Sequence, residues 1–210
     1  MSIGKLNKIQ RAAVEANEGP VLVFAGAGSG KTRVLTHKIY QLIKNEGYQP
    51  ENILSVTFTN KAANEMQNRV SSLLGNKQSL INIGTFHSIC ARLLRREASN
   101  IDLNPHFVIY DVQDQLDLLK IILKELNITK DLITPNQARN HISLQKNKMR
   151  LPKDQFQKAK TILEKNMADV FKKYEVVLKE NDALDFDDLL LSPLKIFEEF
   201  PEILKKYQQI

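Results

Sequence analysis

Residues 25–32 read Ala-Gly-Ala-Gly-Ser-Gly-Lys-Thr, and the segments on either side of them decide the fold. Upstream, Pro20–Ala25 (PVLVFA) is a short β-rich apolar run. Downstream, Lys31–Lys44 places Val34, Leu35, Ile39, Leu42 and Ile43 at helical spacing. A small-residue turn between a strand and a helix is the setting that a phosphate-binding loop requires. Gly26, Ala27, Gly28, Ser29 and Gly30 let the backbone wrap closely, aiming N–H groups and a helix N-terminus at the β- and γ-phosphates. Lys31 would set a cation against those oxygens, and the Thr32 hydroxyl would ligate the Mg²⁺ that accompanies the nucleotide. Ala25 stands where the usual pattern has glycine, which is tolerable where φ stays negative.

The same strand-turn-helix rhythm recurs twice. Ile53–Phe58 (ILSVTF) predicts a strand, Thr59 and Asn60 a cap, and Lys61–Leu74 a helix burying Ala62, Met66, Val70 and Leu73 before Gly75 ends it. Leu80–Gly84 predicts a brief strand and Thr85–Ala98 a helix turning Ile89, Leu93 and Leu94 toward a core. Continuous Val/Ile/Leu runs separated by helices imply a parallel sheet covered on both faces, so the first domain is expected to be α/β. After Phe107–Tyr110 no further β-like run is evident. Val112–Leu126, Pro135–Lys148 and Gln155–Glu180 all carry apolar residues at helical spacing, predicting a helical second region.

Composition narrows the class. With 210 residues, 42% hydrophobic and 26% charged, the chain is an ordinary folded protein of one or two domains. The single Cys90 has no intramolecular partner, and no charged segment followed by an apolar one opens the chain, so a reducing cytoplasm is expected. No stretch approaches the roughly 18 apolar residues of a membrane span. A net charge of +6 suits polyanionic partners.

Three further segments resemble motifs of superfamily 1 helicases of the UvrD/Rep/PcrA type. Leu6–Gln10 (LNKIQ) looks like the adenine-sensing glutamine motif, and the Gln10 amide offers both the donor and the acceptor that match an adenine edge. Val56–Met66 (VTFTNKAANEM) resembles motif Ia, and Ile83–Ser88 (IGTFHS) resembles motif Ib. The resemblance implies a RecA-like P-loop NTPase core that uses ATP and Mg²⁺, with Arg33 near the adenine. It also implies a single-stranded DNA track on which Phe58 stacks a base, while Thr59, Asn60, Thr85, Phe86 and His87 grip the strand. No nucleophile or ligand cluster accompanies His87, so general-base and metal roles are set aside.

Between Arg139 and Lys165 eight Lys/Arg, among them Lys146, Lys148 and Arg150, face only Asp154 and Glu164, a net +6 that would attract DNA phosphates. In the family a helical insertion, subdomain 1B, stands here and contacts duplex DNA. The implied organisation is residues 1–109 as the first part of motor subdomain 1A, 110–184 as subdomain 1B, and 185–210 as the return segment. Asp185–Leu190 (DFDDLL) reads mainly as a helix start, with Asp185 as cap and Asp187 and Asp188 in the first turn.

No apolar run ends in the Asp-Glu pair that would hold Mg²⁺ and polarise water. Phe107–Asp111 (FVIYD) lacks the glutamate, and Lys206–Ile210 looks like the lead-in to the family's Walker B strand. What the resemblance implies is the ATP-binding N-terminal part of a 3′-to-5′ DNA helicase, with weak hydrolysis of its own and with partner proteins that load the motor in repair or replication. A non-catalytic nucleotide- or DNA-binding module and the start of an AddA/RecB-type helicase–nuclease remain alternatives.

Overall fold

Asn7 starts the first helix, α1 (Lys8–Glu15). Its side chain accepts the Gln10 N–H at 2.8 Å while the Gln10 side chain accepts the Asn7 N–H at 3.1 Å, a reciprocal capping box. The structure, a computed structural model, describes residues 6–74, 81–101 and 103–209. The chain divides into two units, residues 1–89 with 206–210, and residues 90–205.

In the first unit α1 is followed by α2 (Lys31–Lys44), β1 (Leu54–Thr57), α3 (Asn60–Leu74), β2 (Asn82–Thr85) and the start of α4 (Phe86–Glu97). Strands β1 and β2 pair in parallel, from Leu54↔Asn82 to Thr57↔Thr85, with α3 as the crossover. Ile39, Ile53, Met66, Val70, Leu74, Ile81 and Ile83 form the core beneath them. On α3 the buried stripe is Ala63, Met66, Val70 and Leu74, one residue beyond the expected Ala62 and Leu73 at its two ends. Gly75 and Leu80 lie outside the described residues.

Pro20–Ala25 does not form the expected strand. Leu22 is 78% and Phe24 90% exposed, and among the described residues no segment pairs with this run. Apolar, β-branched composition favours a strand only where a neighbouring chain supplies the ladder, and here none does.

The second unit continues α4 and adds β3 (Val108–Tyr110), α5 (Val112–Glu125), α6 (Pro135–Asn147), α7 (Pro152–Lys158), α8 (Ile162–Glu180), β4 (Ala183–Asp185), α9 (Phe186–Glu199) and most of α10 (Pro201–Gln208). Two expectations change. The region is not purely helical, because β3 and β4 pair in parallel, Val108↔Ala183 to Tyr110↔Asp185. Each strand is three residues long, too short to show a period-2 pattern. The expected Gln155–Glu180 helix is two helices. Thr161 caps α8, accepting the Glu164 N–H at 3.2 Å while Glu164 accepts the Thr161 N–H at 3.0 Å. That Thr-x-x-Glu signature at 161–164 is the readable sign of a helix start. Leu119, Ile122, Ile133, Ala138, Val170, Phe171 and Tyr174 make the core. Among the described residues no helix is long and apolar enough to cross a membrane.

Asp111 is the N-cap of α5, its Oδ1 accepting the Gln113 and Asp114 N–H groups at 2.7 and 3.0 Å. Both bonds satisfy orphan donors of a helix start, which is structural work, as the missing glutamate after FVIYD suggests.

Candidate nucleotide and nucleic-acid site

Glycine geometry shapes the 25–32 turn. Gly28 at φ +75° and Gly30 at φ +88° occupy left-handed backbone that costs other residues roughly 1–2 kcal/mol. Ser29 closes the turn, its hydroxyl donating to the Gly26 carbonyl at 2.7 Å. Helix α2 then starts at Lys31 with Gly30 as N-cap and no side-chain cap. Its first turn thus presents backbone N–H groups and the positive end of the helix dipole, with no carboxylate in that turn to oppose an anion. Lys31 Nζ donates to the Ala25 and Gly26 carbonyls at 3.1 and 2.8 Å, which holds the ammonium over the loop. Thr32 and Arg33, both half-buried, complete this first turn.

Gln10 meets the loop directly: its Nε2 donates to the Ser29 carbonyl at 2.9 Å. One N–H and one lone pair of the amide are therefore engaged, with Ser29 and with Asn7. A Cβ built on Gly30 would stand 2.9 Å from Gln10 Nε2, so the glycine serves both the positive φ and the approach of Gln10.

Phe58, just past β1, is 90% exposed, and Phe86, opening α4, is 44% exposed. Their ring centroids are 5.8 Å apart with planes inclined at 51°. Parallel pairing of Thr57 with Thr85 brings the two strand ends, and hence the two rings, together. An aromatic pair left in water at strand ends is the opposite of core packing. Thr59 caps α3, accepting the Ala62 N–H at 3.2 Å, and Asn60 is exposed beside it. Thr85 is buried and its hydroxyl accepts the Ser88 N–H at 3.2 Å. Of the expected motif Ib contacts, then, Phe86 and the half-buried His87 are the ones that reach the surface.

The basic segment separates into two kinds of residue. Lys148 and Arg150 are exposed. Lys146 is 4% exposed, with its ammonium 2.8, 2.9 and 2.7 Å from the carboxylates of Glu175, Asp185 and Asp188. Its expected contact with DNA is corrected accordingly: the side chain is consumed inside the second unit. The sign of this was readable, because Ala138, Ile142 and Lys146 are four residues apart on the buried stripe of α6. Burial works against the Lys146 charge, but the three carboxylates more than offset it and hold its pKa above the ordinary lysine value. Burial pushes Asp188 up to about 7, with Asp185 and Glu175 adding to the effect and Lys146 opposing it. For Asp185 burial is outweighed by Lys146 and hydrogen bonds, including one from Tyr174 Oη at 3.1 Å, and its pKa lies below the usual carboxylate value. Asp185 also caps α9, accepting the Asp188 N–H at 2.9 Å, in keeping with the helix-start reading. Cys90 is half-buried, and burial raises its thiol pKa, which disfavours the reactive thiolate.

Comparison with known proteins agrees with this arrangement. Residues 6–210 match the UvrD/REP helicase N-terminal domain. The chain is 45% identical over 204 residues to the ATP-dependent DNA helicase PcrA of Bacillus subtilis, covering 97% of the chain and 28% of that relative. It is 44% identical over 206 residues to the PcrA helicase of Staphylococcus epidermidis and 43% identical to that of Staphylococcus aureus, each covering 98% of the chain and 28% of the relative. The chain thus spans about 28% of the length of the curated relatives it matches. A family match over nearly the whole chain, together with a phosphate loop, a glutamine seated on it and paired aromatics at the strand ends, places the chain in the UvrD/REP helicase N-terminal domain family.

Proposed function

We propose that this chain is the ATP-binding N-terminal portion of a cytoplasmic DNA helicase that moves 3′ to 5′ on single-stranded DNA and unwinds duplex in repair or replication. The observation that carries the reading is the 25–32 turn, with an uncapped helix N-terminus, an ammonium and a base-reading amide converging on one place. The PcrA relatives are named ATP-dependent DNA helicases, which supports the choice of nucleotide and of polymer.

In this reading residues 1–109 begin a RecA-like subdomain 1A, residues 110–184 form subdomain 1B, and 185–210 return to 1A. The exposed apolar run at 21–24 suits a sheet strand whose neighbours lie in the remainder of a protein as long as the relatives. Backbone N–H groups of 26–32 cradle the β- and γ-phosphates, and Lys31 leaves the loop carbonyls to pair with their oxygens. Gln10 reads the adenine edge while Arg33 flanks it. Among the described residues no cluster of three or more His, Cys, Asp or Glu could hold a metal, so Mg²⁺ would arrive with the triphosphate and take the Thr32 hydroxyl as a ligand. When bound, the ion neutralises charge developing on the phosphoryl oxygens.

Phe58 and Phe86 offer stacking faces to unpaired bases, Thr59, Asn60 and His87 border the strand, and Lys148 and Arg150 attract phosphates of single-stranded or duplex DNA. The test is unwinding by the full-length parent protein on duplexes with a 3′ or a 5′ single-stranded tail. ATP-dependent unwinding of the 3′-tailed substrate is expected. Unwinding only from a 5′ tail, or none with ATP present, would overturn the reading.

A further inference from the structure

Helix α1 is eight residues long, too short to persist in water without support, yet it carries the amide that reaches the phosphate loop. Three contacts hold it to α2 and to the loop that opens α2. At its N-terminal end Gln10 Nε2 bonds the Ser29 carbonyl at 2.9 Å. Val14 of α1 and Leu6, just ahead of its N-cap, bury against Val34. At its C-terminal end the Lys38 ammonium, from the middle of α2, donates to the Val14 carbonyl at 3.0 Å, to the Ala16 carbonyl and to Asn17 Oδ1.

The last contact supplies what α1 lacks. Its final turn contains no basic residue of its own, so the orphan carbonyls and the negative end of the dipole there receive a cation from another helix. Lys38 lies seven residues after Lys31, two turns along α2 on nearly the same face. One rigid helix therefore carries both the phosphate-binding lysine and the lysine that fixes the far end of the base-reading helix. With one end of α1 fastened to the loop that opens α2 and the other to α2 itself, the Gln10 amide has a set distance from Ser29.

We propose that Lys38 is a positioning residue for base recognition: by gripping the C-terminal carbonyls of α1 it holds Gln10 at the phosphate loop, so that adenine is read in register with the triphosphate. This rests on the reading of Gln10 as the adenine sensor. Lys38 touches no nucleotide. Its effect is confined to ligands that carry a base.

The experiment titrates the full chain calorimetrically with Mg·ATP, Mg·GTP and inorganic tripolyphosphate, the last being a probe with no base. Lys38→Met, which keeps the stem and removes the charge, is expected to lower ATP affinity by roughly tenfold, the scale of a lost charge-assisted contact. Tripolyphosphate affinity stays at the parent value, the preference for ATP over GTP disappears, and Lys38→Arg restores it. Should Lys38→Met fail to fold, Lys38→Gln, an uncharged donor, takes its place with the same readouts. Equal losses for ATP, GTP and tripolyphosphate would mean that Lys38 only holds the unit together, and would overturn the proposal. So would an unchanged base preference. Gln10→Ala separates the two layers. If it leaves the base preference intact, the adenine reading falls and the Lys38 role falls with it. If it abolishes the preference while the Lys38 variant does not, the Lys38 role alone falls.

Discussion

Lys146 Nζ lies 2.7 Å from the Asp188 carboxylate, across 42 residues of sequence, and so ties the end of α6 to the first turn of α9. Asn147 reinforces the tie by donating to Asp187 Oδ1 at 2.9 Å. A lysine in the middle of a basic segment thus serves the interior, whereas its neighbours Lys148 and Arg150 serve the surface.

Removing this cation leaves the Asp185 and Asp188 carboxylates buried without their counter-charge. Lys146→Met is expected to destabilise the second unit by about 3–5 kcal/mol, the usual cost of orphaning one side of a buried ion pair. Urea unfolding measures it. Lys148→Ala with Arg150→Ala is expected to do the reverse, shifting stability by at most ~0.5 kcal/mol per site while weakening DNA binding and flattening its salt dependence. Lys146→Met with parent stability would refute the buried role.

Asp188 makes the second unit sensitive to pH. Its carboxyl is pushed up to about 7 in the folded chain, chiefly by burial. An unfolded aspartate titrates near ~3.9. Between those values the folded state holds a proton that the unfolded state has released, so this contribution is full below ~3.9, declines as pH rises across the interval and is lost above about 7. Asp185, whose pKa is lowered, acts in the opposite sense and only in stronger acid. The urea midpoint is expected to fall between pH 5.5 and 8 more in the parent chain than in Asp188→Asn. Identical pH profiles for the two would contradict this.

Gly28 and Gly30 separate backbone strain from base reading. Both have positive φ, but only at Gly30 would a methyl meet Gln10, whereas a Cβ at Gly28 has nothing within 4 Å. Alanine at either site is expected to cost about 1–2 kcal/mol of stability. Only Gly30→Ala is expected to erode the preference for ATP over GTP as well, measured by competition binding. Equal base preference in both variants would detach Gln10 from the loop.

Much of the first unit was legible in the sequence. Helix α2 has the expected bounds, and the turn before it was evident from the small residues preceding Lys31. The unreadable parts depended on partners distant in sequence. PVLVFA has strand composition but no neighbour among the described residues, and the three-residue strands 108–110 and 183–185 find each other across more than 70 positions. For the site, residue types located the loop and the aromatics, but charge counting could not separate Lys146 from Lys148. Burial on α6 did that, through a stripe whose apolar members were in view. Lys38 gave no local signal, because its role is to complete a different helix.

Phe58 has little to lose by truncation in the free chain, since it is 90% exposed. Phe58→Ala is expected to leave the unfolding midpoint unchanged and to weaken single-stranded DNA binding by about 1–3 kcal/mol, the value of one stacked base. Fluorescence anisotropy with a labelled oligonucleotide reads the loss. Unchanged affinity would remove Phe58 from the DNA track.

The most direct measurement is calorimetric titration of the chain and of Lys31→Ala with Mg·ATP, with tripolyphosphate as competitor. Saturable binding that tripolyphosphate displaces, and that Lys31→Ala weakens by at least about tenfold, is the predicted result. Equal affinity of the two proteins for ATP, or no binding by either, would contradict the assignment of residues 25–32 as the triphosphate cradle.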